Sequence, residues 1–151
     1  MNLKNIFVIL SILILISSAS AVFAESFKLE NTTFEVPQGY SINKTGDLSV
    51  RLVNNNDTES TIFVSVTNFT DTNTSISSRQ VSGFKFLAEE NFLSDNKISV
   101  NQQNFMKNET YYSYYSFEVN GTGYQIGYIF PVHGDSLEGG ENPVMKIIES
   151  I

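Results

Sequence analysis

The sequence predicts an α+β domain: an antiparallel sheet of about six to seven strands, with a central helix and a C-terminal helix packed on it. Three observations carry this. Apolar and polar residues alternate in several short runs bounded by turn-forming residues, which is the period of strands. Between Ser75 and Asn96 the apolar spacing changes to three and four, the period of a helix. It does so again over the last ten residues, where Asn142-Pro143 opens an apolar stripe running to Ile151.

The first element is "SFKLENTTFEVPQGY". Phe27 and Leu29 alternate, then Phe34 and Val36, with Asn31 and Thr32 between, so a hairpin is expected. Pro37-Gln38-Gly39 ends it in a turn, and Tyr40 and Ile42 start a short strand. "LSVRLV" alternates Leu48, Val50 and Leu52 with Ser49, Arg51 and Val53. After the polar turn "NNNDTES", a strand from Thr61 to Phe69 places Ile62, Val64 and Val66 on one face and Phe63 on the other.

The stretch "SISSRQVSGFKFLAEENFLSDN" then sets Val81, Phe84, Ala88 and Phe92 on one stripe, widened by Leu87, and predicts a helix of four to five turns. Gly83 inside it costs about 1 kcal/mol relative to Ala, so close packing against the sheet is expected there. Phe86 and Leu93 fall off the stripe. Strands resume at "KISV" and "QNFMKN". In the terminal helix, Asn142 is the N-cap, Pro143 the first residue, and Val144, Ile147, Ile148 and Ile151 the face that docks.

Six of the chain's seven tyrosines lie between Tyr111 and Phe130. Asn120-Gly121 is a type I′ turn signal, and a two-residue loop there pairs Val119 with Thr122. That register puts Tyr111, Tyr115, Tyr124 and Tyr128 on an apolar core face, with Phe117, Ile126 and Phe130. The opposite face receives Tyr112 and Tyr114, with Tyr114 covering Gly127. Tyr112 and Tyr114 are therefore the two tyrosines that could meet a ligand. Tyr115→Ser is expected to destabilise the fold and Tyr112→Ser to leave it unchanged.

The chain opens with Lys4, an apolar run from Ile6 to Ile16 broken only by Ser11, and small residues up to Ala24. This is the layout of a secretory signal peptide over residues 1–24, cleaved after Ala24, with Ala21 as a second option. The competing reading is an uncleaved anchor, for which the run is short, since a span needs about 20 apolar residues. Residues 25–151 then form one secreted or cell-surface domain. The formal charge of the whole chain is −7 and it has no cysteine. An acidic domain repels nucleic acid and anionic lipid, so the membrane enters only through an uncleaved N-terminal segment. Disulfides and thiolate chemistry are excluded.

Seven Asn-x-Ser/Thr sequons begin at Asn31, Asn43, Asn56, Asn68, Asn73, Asn108 and Asn120. Random placement of the same residues gives roughly three, so N-glycosylation is one reading. The other is that these residues simply crowd turns and strand edges.

Sequence constellations for catalysis are weak. The lone His133 shares a loop with Asp135, Ser136, Glu138 and Glu141. Triad partners converge from separate places, which neighbours on one loop rarely do. Asp135, Glu138 and Glu141 are weak candidates for a divalent cation, and otherwise form an acidic loop before the terminal helix. Asp71 to Ser75 begins like a calcium loop, but Ile76 and Ser82 stand where glycine and glutamate are needed. No glycine-rich phosphate loop, HExxH or paired-cysteine motif is present, so neither a catalytic residue nor a cofactor is predicted.

"FEVPQGYSI" near the start and "NPVMKIIESI" at the end resemble the edges of PsbP-like domains, and the likeness spans residues 26–151. Tyr40 stands where that family often has Trp. Small exported proteins of methanogenic archaea, rich in Asn, Thr and Tyr, look similar. The resemblance implies an antiparallel sheet covered by helices on both faces, an α/β/α sandwich, with one helix over Tyr112 and Tyr114. It also implies a non-catalytic binding or assembly role, and no site residue carries over from it. The expectation is an exported, non-enzymatic binding or accessory module whose partner is an envelope protein or other surface ligand. The alternative is a glycosylated structural or protective envelope protein.

Overall fold

In the computed structural model, which describes residues 25–67, 76–132 and 142–151, Asn120-Gly121 turns the chain as its residue types require. Both residues take positive φ, 51° and 78°, as a type I′ turn needs. The hairpin of β8 (Thr110–Val119) and β9 (Thr122–Pro131) follows in the expected register, from Val119↔Thr122 to Thr110↔Pro131. The other strands are β1 (Ser26–Leu29), β2 (Thr32–Glu35), β3 (Tyr40–Thr45), β4 (Ser49–Asn54), β5 (Thr61–Thr67), β6 (Lys85–Leu93) and β7 (Ser99–Lys107). "KISV" and "QNFMKN" thus contribute to one strand, β7, rather than two, with Lys97 and Asn108 outside it at positive φ. Two helices are short, α1 (Ile76–Val81) and α2 (Pro143–Ser150).

Among the described residues, seven strands form one antiparallel sheet in the order β3-β4-β5-β9-β8-β7-β6, and β1 and β2 form a separate hairpin. The chain therefore crosses from the middle of the sheet at β5 to its far edge at β6. One face, here the inner face, carries Val50, Leu52, Ile62, Val64, Val100, Tyr115, Phe117, Tyr124 and Ile126. It packs against Leu29, Phe34 and Val36 of the β1–β2 hairpin and Val144, Ile147 and Ile148 of α2. Helix α2 starts where expected, with Asn142 Oδ1 accepting the Val144 N–H at 3.0 Å. Its far end is held by Asn96, whose Nδ2 donates to the Ile148 and Glu149 carbonyls at 3.3 and 3.4 Å. The hairpin's Glu35 N–H donates to Ser150 Oγ at 2.8 Å.

The central helix is not formed, and the protein is mostly β. Of the stretch from Ser75 to Asn96, only Ile76–Val81 is helical and Lys85–Leu93 is the edge strand β6. Two physical facts explain this. Phe84, Ala88 and Phe92 are four apart, and residues four apart share a face in a strand as well as in a helix. The discriminating residue is Phe86, two positions from Phe84. It lies off a helical stripe but on the Phe84 side of a strand, and it packs edge-on to Phe105 with centroids 5.6 Å apart. A bulge at Leu87 then returns Ala88 and Phe92 to the inner face.

Gly83 is the second fact. It stands just past the end of α1 at φ +83°. Its N–H donates to the Gln80 carbonyl at 2.9 Å, and the Phe84 N–H donates to the Arg79 carbonyl at 3.1 Å. This is a Schellman stop, not the middle of a helix. Close packing does not explain the glycine, since a Cβ there would meet nothing nearer than Lys107 Cε and Nζ at 3.9 Å. Gly83→Ala should therefore destabilise the protein by about 1–2 kcal/mol through backbone strain alone. A urea melt showing no loss would mean that the left-handed turn is not required. The α/β/α sandwich implied by the PsbP-like resemblance loses its central helix by the same argument.

Candidate functional site

The second, outer face of the sheet gathers what chemistry the described residues offer. Strand register places Lys44 opposite Arg51, Arg51 opposite Phe63, Phe63 opposite Gly127 and Gly127 opposite Tyr114, one row across β3, β4, β5, β9 and β8. The Arg51 guanidinium carbon lies 5.5 Å from the Phe63 ring centroid. Phe63 is 40% exposed, much for a large apolar side chain at the centre of a sheet. In the next row, Ser49, Ser65, Gln125 and Ser116 share this face. Strands β3, β4, β5 and β9 contain no Asp or Glu, although the chain has 16 acidic residues.

Further along the row the rings are engaged in packing. Tyr114 covers Gly127, whose Cβ position is 3.4 Å from Tyr114 Cε1. The Arg79 guanidinium, brought by α1, lies 3.4 Å from the Tyr114 ring centroid. Tyr112 meets Phe84 edge-on at 4.9 Å. Phe105, fully buried on this face, touches Phe84, Phe86, Tyr114 and Arg79. Phe84, Phe86, Phe105, Tyr112 and Tyr114 thus form a small satellite core, and Lys107 closes its rim with Nζ donating to the Ser82 carbonyl at 2.8 Å. Burial pushes the Tyr114 hydroxyl above the usual tyrosine range, opposed in part by the Arg79 charge.

Both arginines of the chain, Arg51 and Arg79, stand on this face against aromatic rings. A guanidinium can lie on an aromatic face and still present N–H donors in its plane. Among the described residues the Nε of each is buried and without a hydrogen-bond partner. Neither arginine sits in a motif, and the tyrosine-rich hairpin is the more conspicuous feature of the sequence. The available signal was the run of acid-free strands with a single arginine facing the same way as the outward Phe63.

The inner face carries a polar cluster of a different kind. Tyr115 OH accepts from Gln102 Nε2 at 3.1 Å and from Asn142 Nδ2 at 2.9 Å. Asn104 Oδ1 accepts from Gln102 Nε2 at 3.0 Å and from Ser113 Oγ at 2.6 Å. Asn142 therefore caps α2 and ties it to the tyrosine hairpin. Burial raises the Tyr115 and Tyr128 hydroxyls above their ordinary range, with the neighbouring Tyr40 hydroxyl adding to the effect at Tyr128. This cluster positions the helix on the sheet.

Five sequon asparagines, Asn31, Asn43, Asn56, Asn108 and Asn120, are exposed in turns or on the edge strand β3. Asn68 and Asn73 lie outside the described residues. So do residues 1–24 and the loop with His133, Asp135, Glu138 and Glu141. Among the described residues no three His, Cys, Asp or Glu side chains gather as a metal site. Nor is any helix there long and apolar enough to cross a membrane.

No family model and no curated protein matches the chain. Among solved structures it is similar to PA94, a protein of unknown function from Pseudomonas aeruginosa. The identity is 11%, over 72% of this chain and 83% of that one, with a TM-score of 0.34. A likeness that distant carries no argument about function.

Proposed function

We propose that the protein is an exported, non-catalytic binding module whose ligand meets the outer face of the sheet beside Arg51 and Phe63. The observation that carries this reading is the row Lys44–Arg51–Phe63, where a cation pair and an exposed ring stand on strands that contain no Asp or Glu. A part-exposed guanidinium held beside an exposed ring keeps its full charge and can meet an anionic partner. Tyr114 belongs to this surface as the seat of Arg79, and Tyr112 as part of the packing beneath it.

The test is a pull-down from the native host's envelope extract, with the mature domain beside an Arg51→Gln/Phe63→Ser double variant of matched urea stability. A partner held by the first and lost by the second is expected. A partner held equally by both would move the site elsewhere, and no partner would sink the binding reading.

A second reading, a glycosylated structural or protective envelope protein, is favoured by the exposure of the five sequon asparagines. The two readings collide at Asn43, which stands at the β3 bulge beside Lys44. A glycan there would crowd the cation pair. Mass loss on enzymatic deglycosylation of the native protein, mapped to Asn43, would favour the envelope reading.

A further inference from the structure

We propose that the outer face of β3, β4 and β5 binds an acidic carbohydrate, its carboxylate or sulfate between Lys44 and Arg51 and its sugar ring on Phe63. This rests on the binding-module reading and names its ligand class. Lys44 and Arg51 are direct cross-strand partners. Like charges so placed repel, and an anion between them removes the repulsion. None of the four strands β3, β4, β5 and β9 supplies a carboxylate to do this.

The strand carboxylates of the outer face stand away from Lys44 and Arg51. Glu118 on β8 and Glu89 on β6 share this face, three and five strands from Arg51 on β4. At about 4.8 Å per strand both lie beyond the Debye length of about 8 Å at physiological salt.

The surroundings favour a sugar over other anions. Phe63 is 40% exposed beside Arg51, and exposed aromatic surface can pack on the C–H groups of a pyranose. Ser49, Ser65 and Gln125 run beside it in the next row and can bond hydroxyls. Lys44, Arg51 and Phe63 lie in one row across three neighbouring strands, which suits an extended ligand rather than a small anion needing enclosure.

Binding of an oligogalacturonate and of a sulfated galactan would be measured by calorimetry against three comparison probes. These are the neutral methyl ester of the oligogalacturonate, poly-glutamate, and phosphatidylglycerol vesicles. The expected result is binding of at least one acidic glycan, weakened by salt and absent for the ester. Arg51→Gln and Phe63→Ser should each weaken it about ten-fold or more, while Lys85→Gln, away from this face, leaves it unchanged. Without ligand, Arg51→Gln should also raise the melting temperature slightly at low salt, because it ends the repulsion from Lys44.

Equal binding of the ester, tighter binding of poly-glutamate or the vesicles, or insensitivity to Arg51→Gln would overturn the proposal. If no probe binds while the envelope pull-down still yields a partner lost on Arg51→Gln/Phe63→Ser, the ligand class is wrong and the binding module stands. If neither experiment yields binding, both fall.

Discussion

Tyr115→Ser should lower the stability by about 3–5 kcal/mol, the range for removing a large buried aromatic side chain. The ring is 1% exposed in the main core. Its hydroxyl also ties Gln102 on β7 and Asn142 at the start of α2 to the hairpin. Tyr115→Phe separates the two contributions. It keeps the ring and loses the hydrogen bonds, for a cost of about 1 kcal/mol. Tyr112→Ser, three residues away on the other face, should cost only about 1 kcal/mol, close to one edge-on aromatic pair. That corrects the sequence-based expectation of no loss, because Phe84 lies against Tyr112. Urea melts of the three variants decide the matter. Equal losses at 112 and 115 would mean that the assignment of inner and outer faces is wrong.

Phe105→Ala carries the second large effect, again about 3–5 kcal/mol. Phe105 is wholly buried, yet it stands on the outer face opposite Tyr112. Its burial comes from Phe86 on β6, Tyr114 on β8, and Arg79 and Phe84 of the crossover between β5 and β6. A loss below 1 kcal/mol would show that the crossover leaves this corner open. The variant has a functional consequence as well. Arg79 rests on both Phe105 and Tyr114, so removing one ring loosens the guanidinium and any ligand contact it makes. Binding that survives Phe105→Ala but not Arg51→Gln would confine the site to the β3–β4–β5 half of the face.

Several features were legible without the structure because their causes are local. Asn120-Gly121 accepts positive φ at both positions, so the turn and register of β8–β9 follow from two residues, and the seating of Tyr114 over Gly127 follows from the register. Asn142-Pro143 likewise starts α2, because a cap needs only a side-chain oxygen beside free N–H groups.

Other features needed the tertiary structure. Phe84, Ala88 and Phe92 satisfy the helical and the extended period equally. What decided between them was β7, which offered a paired edge, together with a Gly83 that had already ended α1. The pair of arginines on the outer face was hidden for a related reason. Arg51 and Arg79 are remote in sequence, and only the pairing of β5 with β9 and the crossover to β6 bring them to one face. A sequence states which residues alternate. Which faces become shared depends on strand order, and strand order is fixed by non-local burial.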